Sequence, residues 1–213
     1  EDGGREGGAS ADQGRLTPSA GSAALACARA MGLSENEAAA SLADGRIVRR
    51  LKGAKGAGTT SSLAASPDGK TLYYAVSGTV WAIPSADGEP RKIHAGDSVA
   101  ADPSGQELII QLNEKEGVRL VRVPVAGGPE KVIPIRGDLR LTPYVLAPNA
   151  VGKDGRIALS VSSRDYWFWQ PAVLDPETGK LEKTLTHQGD VFSPGWTADG
   201  RIVAMTQPLW QWH

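Results

Sequence analysis

The chain has 213 residues, enough for one large domain or one domain with a tail, and 40% of them are hydrophobic, so a buried core is possible. The formal net charge is −1, without the excess of Lys and Arg that a nucleic-acid or polyanion surface needs. The single cysteine, Cys27, excludes an intramolecular disulfide and a cysteine-rich zinc site. Apolar runs such as Leu108-Ile109-Ile110 fall far short of the roughly 20 residues that span a bilayer.

Residues 1–43 read as a low-complexity tail, largely disordered or marginally helical. Positions 1–18 hold one large apolar residue, Leu16, among Gly, Ser and charges. Such a stretch buries too little surface to offset its ordering entropy. The Ala-rich stretch 20–31 leans helical, and Ser34-x-x-Glu37 matches a capping box ahead of Ala38-Ala39-Ala40. The first residue is Glu rather than Met, and no basic segment leads into an apolar run of about 7–15 residues. The expectation is a processed chain or a fragment.

Residues 44–213 change character. Short runs of Val, Ile, Leu, Tyr and Trp alternate with Gly, Pro, Asp and Asn, which is strand-and-turn punctuation without a sustained helical period. The loop 53–60 is basic and Gly-rich but lacks phosphate-loop spacing, and reads as a connection between units.

A unit then recurs. Leu63-Ala64-Ala65-Ser66-Pro67-Asp68-Gly69-Lys70-Thr71-Leu72 is echoed by Val99-Ala100-Ala101-Asp102-Pro103-Ser104-Gly105-Gln106-Glu107-Leu108, with the glycines 36 apart. Asp154-Gly155-Arg156-Ile157 follows 50 residues on, Asp199-Gly200-Arg201-Ile202 after 45 more, and Asp44-Gly45-Arg46-Ile47 is an earlier echo. Predicted strands are 61–66, 71–76, 79–84 and 91–94 in the first unit, and 98–102, 107–112, 118–123 and 131–135 in the second. The third unit has 141–147, 156–162, 169–174 and 181–185, and the fourth begins with 191–197 and 201–206. Four short strands per period of about 40 residues predict an all-β fold: a β-propeller of four-stranded antiparallel blades. About 3.5–4 blades are visible, part of a larger ring, unless 44–51 supplies the closing outer strands of a four-bladed one.

Ser66-Pro67-Asp68-Gly69-Lys70-Thr71-Leu72-Tyr73, with Val80-Trp81 and Gly88-Glu89-Pro90-Arg91-Lys92-Ile93 behind it, resembles the Pro-Asp repeat of TolB-type, WD40-like propellers. The run 96–143 and Ser193-Pro194-Gly195-Trp196-Thr197-Ala198-Asp199-Gly200-Arg201 resemble most the C-terminal propeller of bacterial receptor-like Ser/Thr kinases. The third unit departs from the pattern, because 148–153 lacks the Ser-Pro-Asp start. The resemblance implies a non-catalytic scaffold that binds a protein or small ligand, as the sensory part of a larger bacterial protein on the periplasmic or extracytoplasmic side. It also implies an alternative, the gating propeller of a prolyl-oligopeptidase-like serine peptidase. A purely structural interaction module is a third reading.

No complete catalytic motif stands in the chain. Gly96-Asp97-Ser98-Val99 lacks the downstream Asp-x-x-His of the esterases that carry such a block, and Gly-x-Ser-x-Gly and kinase signatures are missing. His94, His187 and His213 have no metal-ligand spacing, and no metal or cofactor is expected. The candidate binding residues are Tyr166, Trp167 and Trp169, in the run Tyr166-Trp167-Phe168-Trp169. Four consecutive aromatics cannot share one side of a strand, and exposed Trp and Tyr favour recognition surfaces. The plainer expectation is that they pack between units.

Overall fold

The computed structural model describes residues 26–28, 38–40, 47–50, 61–86, 88–143, 146–163, 168–184 and 189–208. All the regular elements described there are β-strands. β1 (Ala26–Ala28), β2 (Ala38–Ala40) and β3 (Ile47–Arg50) form a three-stranded antiparallel meander. The helical expectation for these alanines is therefore corrected. A stretch of about a dozen residues is a marginal helix on its own, whereas Ala38–Ala40 pairs with Ala26–Ala28 on one side and Ile47–Arg50 on the other. Nor does 44–51 complete the last unit, since β3 pairs with β2 in a sheet of its own.

The first unit is the meander β4 (Ser62–Ala65), β5 (Thr71–Val76), β6 (Thr79–Pro84) and β7 (Arg91–Ala95). The second is β8 (Ser98–Ala101), β9 (Glu107–Glu114), β10 (Gly117–Pro124) and β11 (Lys131–Val132). The third is β12 (Arg140–Leu141), β13 (Ile157–Ser162), β14 (Gln170–Leu174) and β15 (Leu181–Lys183). The fourth contributes β16 (Gly189–Trp196) and β17 (Ile202–Pro208). The units stack face to face: β4 and β5 meet β8, β10 meets β12, and β13 and β14 meet β16. Three complete four-stranded antiparallel sheets and half of a fourth make this a β-propeller.

The turn joining the first two strands of each unit explains the repeat. Gly69 N donates to Ser66 O, Gly105 N to Asp102 O, Gly155 N to Gly152 O and Gly200 N to Thr197 O, at 2.8–3.0 Å. Each glycine holds a left-handed φ between 69° and 81°, where a Cβ is strained. The acid holds the turn from within: Asp68 Oδ1 accepts from Lys70 N (3.1 Å), Asp102 Oδ2 from Ser104 N (2.9 Å) and Asp154 Oδ1 from Arg156 N (3.2 Å). Proline is dispensable because the glycine and acid close the turn, as 152–156 and 197–201 show.

The second strands do not alternate in hydrophobicity because both their faces are buried. Leu108 and Ile110 of β9 pack toward the first unit with Tyr73, Ala75 and Val80, while Ile109 packs toward the third with Leu120, Ile157 and Leu159. Each such side chain contributes about 1.5–3 kcal/mol by leaving water.

Candidate functional site

The three complete units share one plan, and the third is interrupted twice. β5 passes to β6 through Ser77-Gly78, both at positive φ (48° and 70°), the pattern of a two-residue hairpin turn. β9 passes to β10 through Lys115-Glu116. Between β13 and β14 the connection is 163–169, seven residues that include the aromatic run.

The second interruption lies in the first strand. Ser62–Ala65 and Ser98–Ala101 pair without a break with β5 and β9. In the third unit only Arg140 and Leu141 pair with Ser162 and Val161, and the ladder resumes at Val151 opposite Ile157. Thr142 N still donates to Ser160 O (3.2 Å) and Ala158 N to Ala150 O (2.8 Å), so the ladder is interrupted between these two bonds. The predicted strand 141–147 is thus corrected to Arg140–Leu141. Pro143 and Pro148 have no N–H to donate to a ladder.

The excursion docks onto its neighbours. Leu146 N donates to Ser98 Oγ of the second unit (2.7 Å). Asn149 holds the fourth: its O accepts from Trp196 N (2.9 Å), and its Nδ2 donates to Trp196 O (2.6 Å). A Cβ on Gly195 would lie 2.3 Å from Asn149 Oδ1, so this approach requires glycine. Arg156 lies over the Trp196 ring at 5.4 Å.

Trp169 sits where the long connection meets the fourth unit. Its N donates to Asp190 Oδ1 (3.0 Å), and its O accepts from Val191 N (2.9 Å). Its half-buried ring meets Phe192 edge to face at 5.4 Å and 88°. Trp169 therefore packs across the seam between the third and fourth units while keeping part of its surface outside. Tyr166 and Trp167 lie outside the described residues.

A small cavity lies where the second, third and fourth units meet. Its polar lining is Gln111, Thr142, Ser160 and Ser193, and leucines 120, 141, 146 and 159 with Ala147, Ala158 and Pro194 line the rest. Ser193 has φ 42°, directly before Pro194, where the β16–β17 register shifts between Phe192 and Gly195. Bulges and left-handed non-glycine residues concentrate at functional sites. The two interruptions of the third unit and the bulge of the fourth thus border one seam. Sequence reasoning singled out Trp169 as a candidate, and did not single out Phe192, Gln111, Thr142, Ser160 or Ser193. The available signal was the jump in glycine spacing from 36 to 50, which marks inserted residues.

The remaining candidates have structural tasks. His94, in β7, pairs through Nε2 with Glu130 of the second unit (2.6 Å). The Arg119 guanidinium beside Glu130 (3.0 Å) holds that carboxyl below its ordinary range, with His94 adding to the effect. Asp97 Oδ2 accepts from Asn113 N (2.7 Å), and Ser98 Oγ donates to Ser62 Oγ (3.1 Å). The Gly96-Asp97-Ser98 block is therefore the link from the first unit to the second. The loop 53–60, His187 and His213 fall outside the described residues. Among the described residues no three His, Cys, Asp or Glu side chains are grouped to hold a metal, and no helix is long and apolar enough to cross a membrane.

No protein-family model matches the chain, and no curated protein sequence does. Solved structures do. TolB from Acinetobacter baumannii superposes with a TM-score of 0.62 at 16% identity, over 83% of this chain and 44% of that one. The putative TolB from Agrobacterium tumefaciens gives 0.56 at 20% identity, over 75% and 56%. A puromycin-hydrolyzing peptidase from Mycobacterium tuberculosis gives 0.52 at 16% identity, over 81% and 32%. The chain spans about half the length of the TolB structures. At these identities the likeness is one of fold, and it agrees with the topology: this is a β-propeller of the kind found in TolB.

Proposed function

We propose that this chain is a non-catalytic binding module whose recognition surface is the seam between the third and fourth units. The observation that carries this reading is the convergence there of both interruptions of the repeat. In repeat architectures each unit packs on its neighbours, and insertions gather on the binding face. The third unit departs from its neighbours by lengthening one connection, whose Trp169 meets Phe192, and by interrupting its first strand, whose Asn149 bonds to Trp196. The finer reading places the propeller as the sensory part of a larger bacterial protein, such as a receptor-like Ser/Thr kinase, on its extracytoplasmic side. It rests on the resemblance of 96–143 and 193–201 to such propellers.

Replacing Trp167 and Trp169 with alanine, singly and together, and measuring both partner capture and thermal unfolding tests the module. Capture should fall at least tenfold for Trp167→Ala with the unfolding midpoint retained. Unchanged capture by a folded double variant sinks the reading. The full reading frame tests the kinase link, which requires a kinase domain and a membrane span upstream. A second reading, the gating propeller of a serine peptidase, is favoured by the likeness to the puromycin-hydrolyzing peptidase. It requires Gly-x-Ser-x-Gly downstream of His213.

A further inference from the structure

β17 holds the place in its unit that β5, β9 and β13 hold in theirs, second from the inner edge, but it is not covered as they are. Those three strands are paired on both sides and buried over most of their length. Among the described residues nothing pairs with the outer side of β17, and every residue from Val203 to Gln207 is exposed. Val203 and Met205 stand 52% and 68% exposed.

Hydrogen bonds show which groups of β17 point outward. Val191, opposite Thr206, donates its N–H to Trp169 O and accepts at its own O from Ser160 Oγ. Trp196, opposite Ile202, donates its N–H to Asn149 O and accepts at its O from Asn149 Nδ2. Both are turned away from β17, so Ile202 and Thr206 direct their own N–H and C=O away from β16. Ala204, midway between them, does the same by alternation. Such an edge is a template for another strand, and native sheets block it with charge or proline. The outer strands of the complete units follow that rule: β7 carries Arg91 and Lys92, β11 Lys131, and β15 Glu182 and Lys183, all exposed. β17 has no charged residue, and its one proline, Pro208, is its last residue.

We propose that the outer edge of β17 pairs antiparallel with the same edge of a second copy of this chain. Each copy holds two strands of the fourth unit, and two copies make a sheet of four, as in the other units. The edge is self-complementary. Pairing centred on Met205 sets Ala204 against Thr206 of the second copy and Ile202 against Pro208, whose missing N–H falls at the end of the ladder. The two Met205 side chains meet at the centre, where the pair is not hydrogen-bonded and side chains lie closest. An uncharged strand meets its copy without the like-charge repulsion that β7 or β11 would incur. One open edge per copy closes the assembly at two.

The test is sedimentation velocity on the full 213-residue chain. It should pass from monomer to dimer across about 2–200 µM, as a small single-strand interface implies. Hydrogen exchange at Ile202, Ala204 and Thr206 should slow with rising concentration. Ala204→Pro removes an outward N–H and no bond to β16, a change that edge strands tolerate. It should weaken the dimer about 10–100-fold, because two-fold symmetry removes the bond twice, with the unfolding midpoint retained. Met205→Lys, which sets like charges opposite each other, should weaken it as well. A monomer throughout, growth beyond two copies, or a dimer that survives Met205→Lys and a folded Ala204→Pro overturns the proposal. Protection of the three amides at every concentration also overturns it, since a segment of the same polypeptide then fills the edge.

Discussion

The first two units and the third are built on one plan and solve different problems. In units one and two the first strand runs unbroken, the central hairpin turn takes two residues, and Gly96-Asp97 is the whole link between the sheets. In unit three the ladder of the first strand is interrupted between Leu141 and Val151, and seven residues connect β13 to β14. Yet β13 and β14 keep buried cores like those of β9 and β10. Insertion is tolerated where a segment can leave the ladder without uncovering the middle strands. Loop length adds only slowly to the entropy of closure, so the third unit carries its longer connection at small thermodynamic cost.

The largest break in this comparison comes from the shared core. Ile110→Ala at the first seam and Leu174→Ala in the third unit, both fully buried, should each lower stability by about 2–5 kcal/mol in denaturant unfolding. If Leu174→Ala costs much less than Ile110→Ala, the third unit is the softer one and the equivalence of the cores fails. Next is the tight link. A Cβ on Gly96 would stand 2.3 Å from Ile110 Cγ2 and 3.1 Å from Val80 Cγ2, so Gly96→Ala should cost about 1–3 kcal/mol through overpacking.

A smaller effect separates the seams by charge. The first is tied by His94, Glu130 and Arg119, the second by Arg122 and Glu177 (2.6 Å), and the third by Asn149 and aromatic contacts. Glu130 has a folded-state pKa below its unfolded value. Its stabilisation is therefore present above the unfolded value, about 4.3, and is lost as pH falls through the folded value. Hydrogen exchange on lowering the pH from 6 to 3 should open the first seam before the third, and Glu130→Gln should flatten that response. The pair is partly exposed, so the change is modest. The smallest effect on stability should come from shortening 163–167 to Ser-Gly while keeping Phe168 and Trp169 in place. Unfolding should move by less than about 1 kcal/mol, while binding at the seam is lost.

The fold was legible because its punctuation is local. Asp68-Gly69, Asp154-Gly155 and Asp199-Gly200 declare their turns through a left-handed glycine and a carboxylate within two residues, and no distant contact is needed to read them. The looped first strand was not legible. Leu141-Thr142 and Val145-Leu146-Ala147 have the composition of a strand, and only the prolines at 143 and 148 argue otherwise. The Ala-rich segments misled in the opposite sense, because helix propensity is decisive only over longer runs. The site was half legible. Trp169 announces itself by residue type, whereas Gln111 and Ser160 look like ordinary strand positions until three units bring them together.

One contact bears on how the molecule assembles. Ser98 Oγ donates to Ser62 Oγ and accepts from Leu146 N, and Ser62 Oγ also accepts from Val99 N. A single hydroxyl in the second unit thus joins segments of the first and third that lie far apart in sequence. The first and third units are thereby registered to each other through the second. The middle unit is expected to form early in folding, with mutations around Ser98 slowing refolding more than they speed unfolding.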